Sequence, residues 1–325
     1  MSIPRHPVLI LALMLMASLA ILLANLGFGS SGWVWPVFFA SDGTGMLERS
    51  IVMELRLPRV LAAFAAGGLL ALAGTLIQVL TRNPLADPYI LGISGGAAVG
   101  ALLAILLGLP LLMQHLGAAS GAFAALLLVI GLAHGDGAWT RQRLLLTGVV
   151  LASALGAVIT LLLALAPETA LRGMLFWLMG DLSSAPAPWL ALIGLALLTL
   201  LILPWARDLN ILSRGEASAA SLGVSVRELR WGAYLLAAIA TALAVITAGS
   251  IGFVGLLAPH LARLLVGADH RFALPVAILL GGSLVMLADL LARTLIAPQQ
   301  LPAGALIALL GAPLFLVLLY RESKT

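Results

Sequence analysis

Residues 58–80 read Pro-Arg-Val-Leu-Ala-Ala-Phe-Ala-Ala-Gly-Gly-Leu-Leu-Ala-Leu-Ala-Gly-Thr-Leu-Ile-Gln-Val-Leu, with Arg59 the only charge. Roughly 20 mostly apolar residues, wound as a helix, cross the hydrocarbon core of a bilayer. Runs of this kind recur at about 8–27, 90–109, 116–133, 144–166, 189–205, 231–249, 256–267, 273–296 and 303–320. The pattern predicts an all-α polytopic membrane protein with ten spans, and residues 1–325 read as one transmembrane domain. The run at 256–267 is too short to cross alone, and 167–188 has room for a further short helix near Leu171–Met179. Interrupted helices of this sort usually line a transport path.

The composition agrees. The chain is 62% hydrophobic and 9% charged, against about a quarter charged for soluble domains. Its net charge of +4 comes from basic residues scattered singly between apolar runs, which fits membrane topology better than nucleic-acid binding. There is no cysteine, so disulfides and thiolate metal sites are excluded. The first run exceeds a typical signal-peptide core and is followed by Gly27-Phe28-Gly29-Ser30 rather than a small-x-small cleavage site, so it is expected to be a transmembrane helix.

With a cytoplasmic N-terminus, twelve basic residues fall inside: Arg5, Arg82, Arg141, Arg143, Arg207, Arg214, Arg227, Arg230, Arg263, Arg271, Arg321 and Lys324. Five fall outside: Arg49, Arg56, Arg59, Arg172 and Arg293. That satisfies the positive-inside rule and puts both termini in the cytoplasm.

Several chemistries are missing. A P-loop needs a lysine that reaches the phosphates from a glycine-rich cradle, and the only lysine is Lys324. His-Glu-x-x-His and Gly-x-Ser-x-Gly are absent as well. The five histidines are dispersed, so loop or helix-end positions are expected for them, and no metal or catalytic residue is assigned. An ion-coupled transporter keeps ionisable groups near mid-bilayer. The candidate here is Asp289, but Arg293 one turn later makes an i,i+4 pair the simpler expectation.

Gly92, Gly96 and Gly100 recur every four residues, as do Gly148, Ala152 and Gly156, which predicts close helix packing. Ala73-Gly74-Thr75 with Asn83-Pro84-Leu85-Ala86 is echoed by Ala248-Gly249-Ser250 with Ala258-Pro259-His260-Leu261-Ala262. An inverted repeat and chance both remain open as explanations.

Three polar islands interrupt the apolar pattern. Arg207–Arg230 is too polar to span and longer than the 2–8 residues a connector needs, so a short surface helix suited to docking a cytoplasmic partner is expected there. Thr81–Pro88 could narrow the inner mouth of a path. Glu54–Arg59 presents cations outward, suited to acidic groups on an external partner.

In these islands and beyond, the chain resembles the FecCD family of bacterial binding-protein-dependent importer permeases. The resemblance rests on Arg56-Leu57-Pro58-Arg59, Asn83 through Pro88, Leu91-Gly92-Ile93-Ser94-Gly95-Gly96-Ala97, Gly215-Glu216 with Leu222-Gly223, Gly249 through Leu256 with Pro259-His260, Ala288-Asp289 with Arg293, and Leu301 through Pro313. It implies a homodimer around one path, two ABC ATPase subunits that bind ATP and Mg on the cytoplasmic side, and a substrate-binding protein outside. The implied substrate is an iron-siderophore, haem or vitamin B12, and this chain would hold no cofactor. Arg214, Gly215, Glu216, Ala219, Leu222 and Gly223 match the segment that couples to the ATPase. Arg56, Arg59 and Arg293 match positions that meet glutamates of the binding protein. Asn83 and Leu85 match an inner gate, and Arg141 and Gln142, after Thr140, stand at a second gate where small hydroxyl residues are usual. The alternative function is an ion-coupled secondary transporter.

Overall fold

A computed structural model describes residues 6–29, 32–33, 49–133, 141–182 and 188–322. Arg5, His134, Thr140 and Lys324 lie outside these residues. The chain folds as α1 (Pro7–Gly27), α2 (Leu57–Thr81), α3 (Ile93–Leu106), α4 (Leu111–Ala133), α5 (Arg141–Leu165), α6 (Glu168–Leu178) and α7 (Pro188–Ile202). It continues as α8 (Ala206–Arg214), α9 (Glu216–Ser221), α10 (Val226–Ala248), α11 (Val254–Val266), α12 (His270–Thr294) and α13 (Ala303–Glu322). A π-helical turn, Ile51–Arg56, leads directly into α2, and a two-residue antiparallel pairing joins Phe28–Gly29 to Gly32–Trp33.

Seven stretches are long and apolar enough to span a bilayer, and three shorter apolar helices, α3, α11 and α13, bring the described set to ten. Each falls on one of the ten apolar runs, and α6 occupies the interval where a further short helix is expected. Two helix starts differ by more than a turn: α4 begins at Leu111, not near 116, and α10 begins at Val226, not near 231, so Arg227, Glu228 and Arg230 sit on the foot of a spanning helix and not in the coupling segment.

The run at 58–80 is the hub of the bundle. In α2, 89% of the most apolar window is buried, against 6% in α1, whose Leu and Met side chains point outward. Apolar side chains gain nothing by leaving lipid for protein, so tight association depends on close backbone approach. Alanine and glycine supply it. A Cβ on Gly67 would overlap the carbonyl of Gly281 in α12, and one on Gly74 would overlap that of Gly255 in α11.

The first glycine stripe divides its work. Gly96 and Gly100 on α3 lie against Gly121 and Gly117 of α4, while Gly92 caps α3 with φ 71° and faces Leu151 and Ala152 of α5. In the second stripe, Gly156 faces open space. In the echoed segments, Asn83–Ala86 form a turn, whereas Ala258–Ala262 lie inside α11.

Candidate functional site

Two polar regions cap opposite ends of α2. At the end that begins with Arg59, the Asp289 carboxylate is fully buried on α12 between two guanidiniums. Arg59 Nη2 lies 2.8 Å from Asp289 Oδ1, and Arg293 Nε lies 2.9 Å from Oδ2. Arg293 Nη2 also donates to Asn25 Oδ1 at 2.6 Å, and Asn25 Nδ2 donates to the Met286 carbonyl at 3.2 Å. These bonds tie α1, α2 and α12 together and satisfy the buried polar groups of Asn25, Asp289 and Arg293. Arg56 turns back to donate to the Leu26 carbonyl at 2.9 Å, with Gly29 close against its guanidinium.

The three outer arginines therefore converge, but unequally. Arg56 and Arg293 are 4% and 5% exposed, while Arg59 is partly accessible and also donates to Gln300 Oε1 at 3.0 Å. Asp289, weighed from sequence as an ion-coupling carboxylate, has both oxygens taken by arginines of its own chain. The i,i+4 pairing with Arg293 is present as expected.

At the other end, Arg82 closes α2 in a left-handed conformation, φ 48°. Asn83 Oδ1 then accepts from Leu85 N at 2.9 Å, folding an Asx turn that leaves Asn83 and Leu85 exposed. Ala86 and Pro88 turn back into the protein. Asp87 Oδ1 accepts from Tyr89 N at 2.8 Å, and Tyr89 Oη accepts from Ile251 N at 2.8 Å. Burial pushes the Asp87 carboxyl and the Tyr89 phenol above their ordinary values. Gln78 Nε2 reaches the carbonyls of Ala86, Gly255 and Leu256 at 3.3–3.4 Å. The loop after α2 is thereby held against the first turn of α11. Arg141 and Gln142 open α5, and their side chains lie outside the described residues.

The coupling segment folds as two short helices with an elbow. Leu209 and Leu212 are buried on the inner face of α8. Gly215 makes the elbow with φ 139°, a conformation that favours glycine. On α9, Ala219 is buried, Glu216 is held by Arg230 at 3.2 Å, and Arg214 and Gly223 are exposed on either side. Leu222, just past α9, is 67% exposed. Beside it lies a pocket of about 400 Å³ lined by Trp205, Arg207, Asp208, Leu222 and Glu228.

The sequence model of the FecCD transport family matches residues 10–321. The chain belongs to the FecCD transport family. This FecCD permease is 42% identical over 281 residues to the hemin transport system permease protein HmuU of Yersinia pestis, covering 84% of each chain. It is 41% identical over 293 residues to the Fe(3+) dicitrate transport system permease protein FecD of Escherichia coli, covering 88% of this chain and 90% of that one. Its fold superposes on a solved metal-chelate type ABC transporter in an inward-facing conformation with a TM-score of 0.83 and 33% identity, covering 96% of this chain and 98% of the other.

Sequence reasoning missed two members of the FecCD permease's polar regions. Asn25 was visible as the lone amide in the first apolar run. Asn210 was lost among the charges of the coupling segment, yet its amide donates to Asp269 Oδ1 and accepts from His270 N, both at 2.9 Å. His260 departs from the expected loop or helix-end position: it lies inside α11, 4% exposed and edge-on to Phe315. Among the described residues no cluster of histidines and carboxylates gathers as metal ligands.

Proposed function

We propose that this permease forms, as a homodimer, the path of an ATP-driven importer for a metal chelate of the iron-siderophore, haem or cobalamin class. Two separate ABC ATPase subunits would dock on α8–α9 and carry the ATP and Mg. A substrate-binding protein would dock at the opposite end, and residues 1–325 would serve as one transmembrane unit with both termini cytoplasmic.

The observation that carries this reading is the form of the coupling segment. An exposed leucine at the tip of a charged two-helix elbow has no use in a connector, and it offers an apolar anchor to a groove on a partner. Arg214, Glu216 and Gly223 would frame that anchor. At the other end, the guanidiniums of Arg59 and Arg293 share the one Asp289 carboxylate while Arg56 donates to a backbone carbonyl, an excess of cation that favours acidic side chains on the receptor. Arg59 is the accessible member, and Arg56 and Arg293 would have to exchange internal partners to meet a receptor glutamate. Asn83 and Leu85, at the exposed tip of their turn, would form the inner gate, and Arg141 and Gln142 would stand at the second gate. The closed Arg59–Asp289–Arg293 cluster weighs against an ion-coupled mechanism that uses that carboxylate.

The test is assembly with the cognate ATPase. Leu222→Glu and Glu216→Arg should abolish co-purification with the ATPase while leaving the thermal midpoint of the isolated permease unchanged. Retained association would remove the coupling assignment. Uptake that stops with an ionophore but survives ATP depletion would overturn the importer reading.

A further inference from the structure

The pocket of about 400 Å³ beside the coupling segment lies between α8, the first turns of α10 and the link that joins α9 to α10. Its size is that of a small-ligand site, about 300–1,000 Å³. Three charged side chains line it, Arg207 and Asp208 on α8 and Glu228 on α10. None of the three has a hydrogen-bond or ion-pair partner among the described residues. One wall is Trp205, whose ring packs on Gly232 of the spanning helix α10. Tryptophan is enriched where a bilayer meets water. Trp205 follows α7, which exposes Leu197, Leu200 and Leu201 along its span. The pocket therefore opens where an apolar, outward-facing helix surface ends and unpaired charges begin, the depth at which lipid headgroups lie.

We propose that this pocket binds the headgroup of a phospholipid that joins a phosphate to a primary ammonium, in the leaflet on the side of the coupling segment. The pocket supplies both signs. The planar fork of the Arg207 guanidinium matches two phosphate oxygens. A primary ammonium carries three N–H donors, and Asp208 and Glu228 provide the carboxylates that accept them. A trimethylated ammonium has no donor and a glycerol headgroup has no positive charge, so each leaves both carboxylates unmatched. The acyl chains lie along the leucines of α7. Leu222 closes another edge of the pocket, which makes a basic side chain of a docked ATPase the competing occupant. The lipid is favoured because the aromatic wall is continuous with the spanning helices α7 and α10, and the inference stands whether or not α8–α9 dock an ATPase.

The full-length permease, purified in detergent and stripped of lipid, is titrated with phosphatidylethanolamine, phosphatidylcholine and phosphatidylglycerol of identical acyl chains, and bound lipid is counted by native mass spectrometry. Phosphatidylethanolamine binds more tightly than the other two by about tenfold, the effect of one charge-assisted hydrogen bond. Asp208→Asn combined with Glu228→Gln lowers it to the level of phosphatidylcholine, Arg207→Gln weakens all three, and Glu168→Gln on α6 changes nothing. Soluble phosphoethanolamine does not displace the lipid. Where the double variant does not fold, Asp208→Asn alone carries the test. Equal affinity for the three lipids in the parent, or a preference that survives the double substitution, overturns the proposal. Displacement by soluble phosphoethanolamine assigns the pocket to a soluble ligand and overturns it as well. A double variant that keeps the lipid preference but no longer co-purifies with the cognate ATPase assigns the pocket to the partner protein, with the same result.

Discussion

The guanidinium of Arg59 on α2 lies 2.8 Å from the fully buried carboxylate of Asp289 on α12, which also holds Arg293. One carboxylate thus pairs with two arginines at the helix ends. Asp289→Ala would leave both without a counter-charge, and breaking a buried pair from one side costs about 3–5 kcal/mol. The thermal midpoint in nanodiscs should fall clearly, and Asp289→Asn, which keeps an acceptor, should fall less. An unchanged midpoint in Asp289→Ala would show that the cluster does not hold α2 to α12.

Asn25 supplies the acceptor for Arg293 and a donor for Met286. Asn25→Leu keeps the branched shape but strands the Arg293 Nη2 donor, a loss of about 1–3 kcal/mol. Loosening of α1 from α12 should appear as faster proteolysis after the first helix, and equal cleavage rates would contradict it.

The glycine contacts predict a sharp contrast between equivalent substitutions. Gly100→Ala must push α3 off Gly117 of α4, a strain of about 1–3 kcal/mol. Gly156→Ala adds a methyl where nothing lies within 4 Å and should be neutral. Thermal midpoints of the two variants, measured side by side, test the packing directly, and equal values would refute it.

Hydrogen bonds from Arg271, aided by Asn210, hold the Asp269 carboxyl well below the usual carboxylate range, with burial opposing them. The folded state therefore binds this proton less tightly than the unfolded one. The stability Asp269 contributes is present above its unfolded value, about 3.8, and is lost as the pH falls toward the folded value. Wild type should exceed Asp269→Asn in thermal midpoint at neutral pH, and the gap should close on acidification below about pH 4. A gap independent of pH would rule out the ion pair as its source.

Much of this protein is legible in its sequence because lipid imposes a simple rule: each span must satisfy its own backbone, so its length and polarity show directly. The ten apolar helices, the short helix α6 and the Asp289–Arg293 pair all follow from local runs and helical spacing. The exposed position of Leu222 follows less directly, from a polar island too long for a connector.

What the sequence leaves open is which side chains meet across helices. Arg59 reaches Asp289 over 230 residues of chain, Asn25 reaches Arg293 over 268, and Asn210 reaches Asp269 over 59. No periodicity encodes such pairs, because they depend on which glycine faces lie against one another. The run 58–80 decides that this is a membrane helix. Only packing, with Gly67 against Gly281 and Gly74 against Gly255, makes that helix the centre of the bundle, since close backbone approach is a property of two helices together and not of either alone.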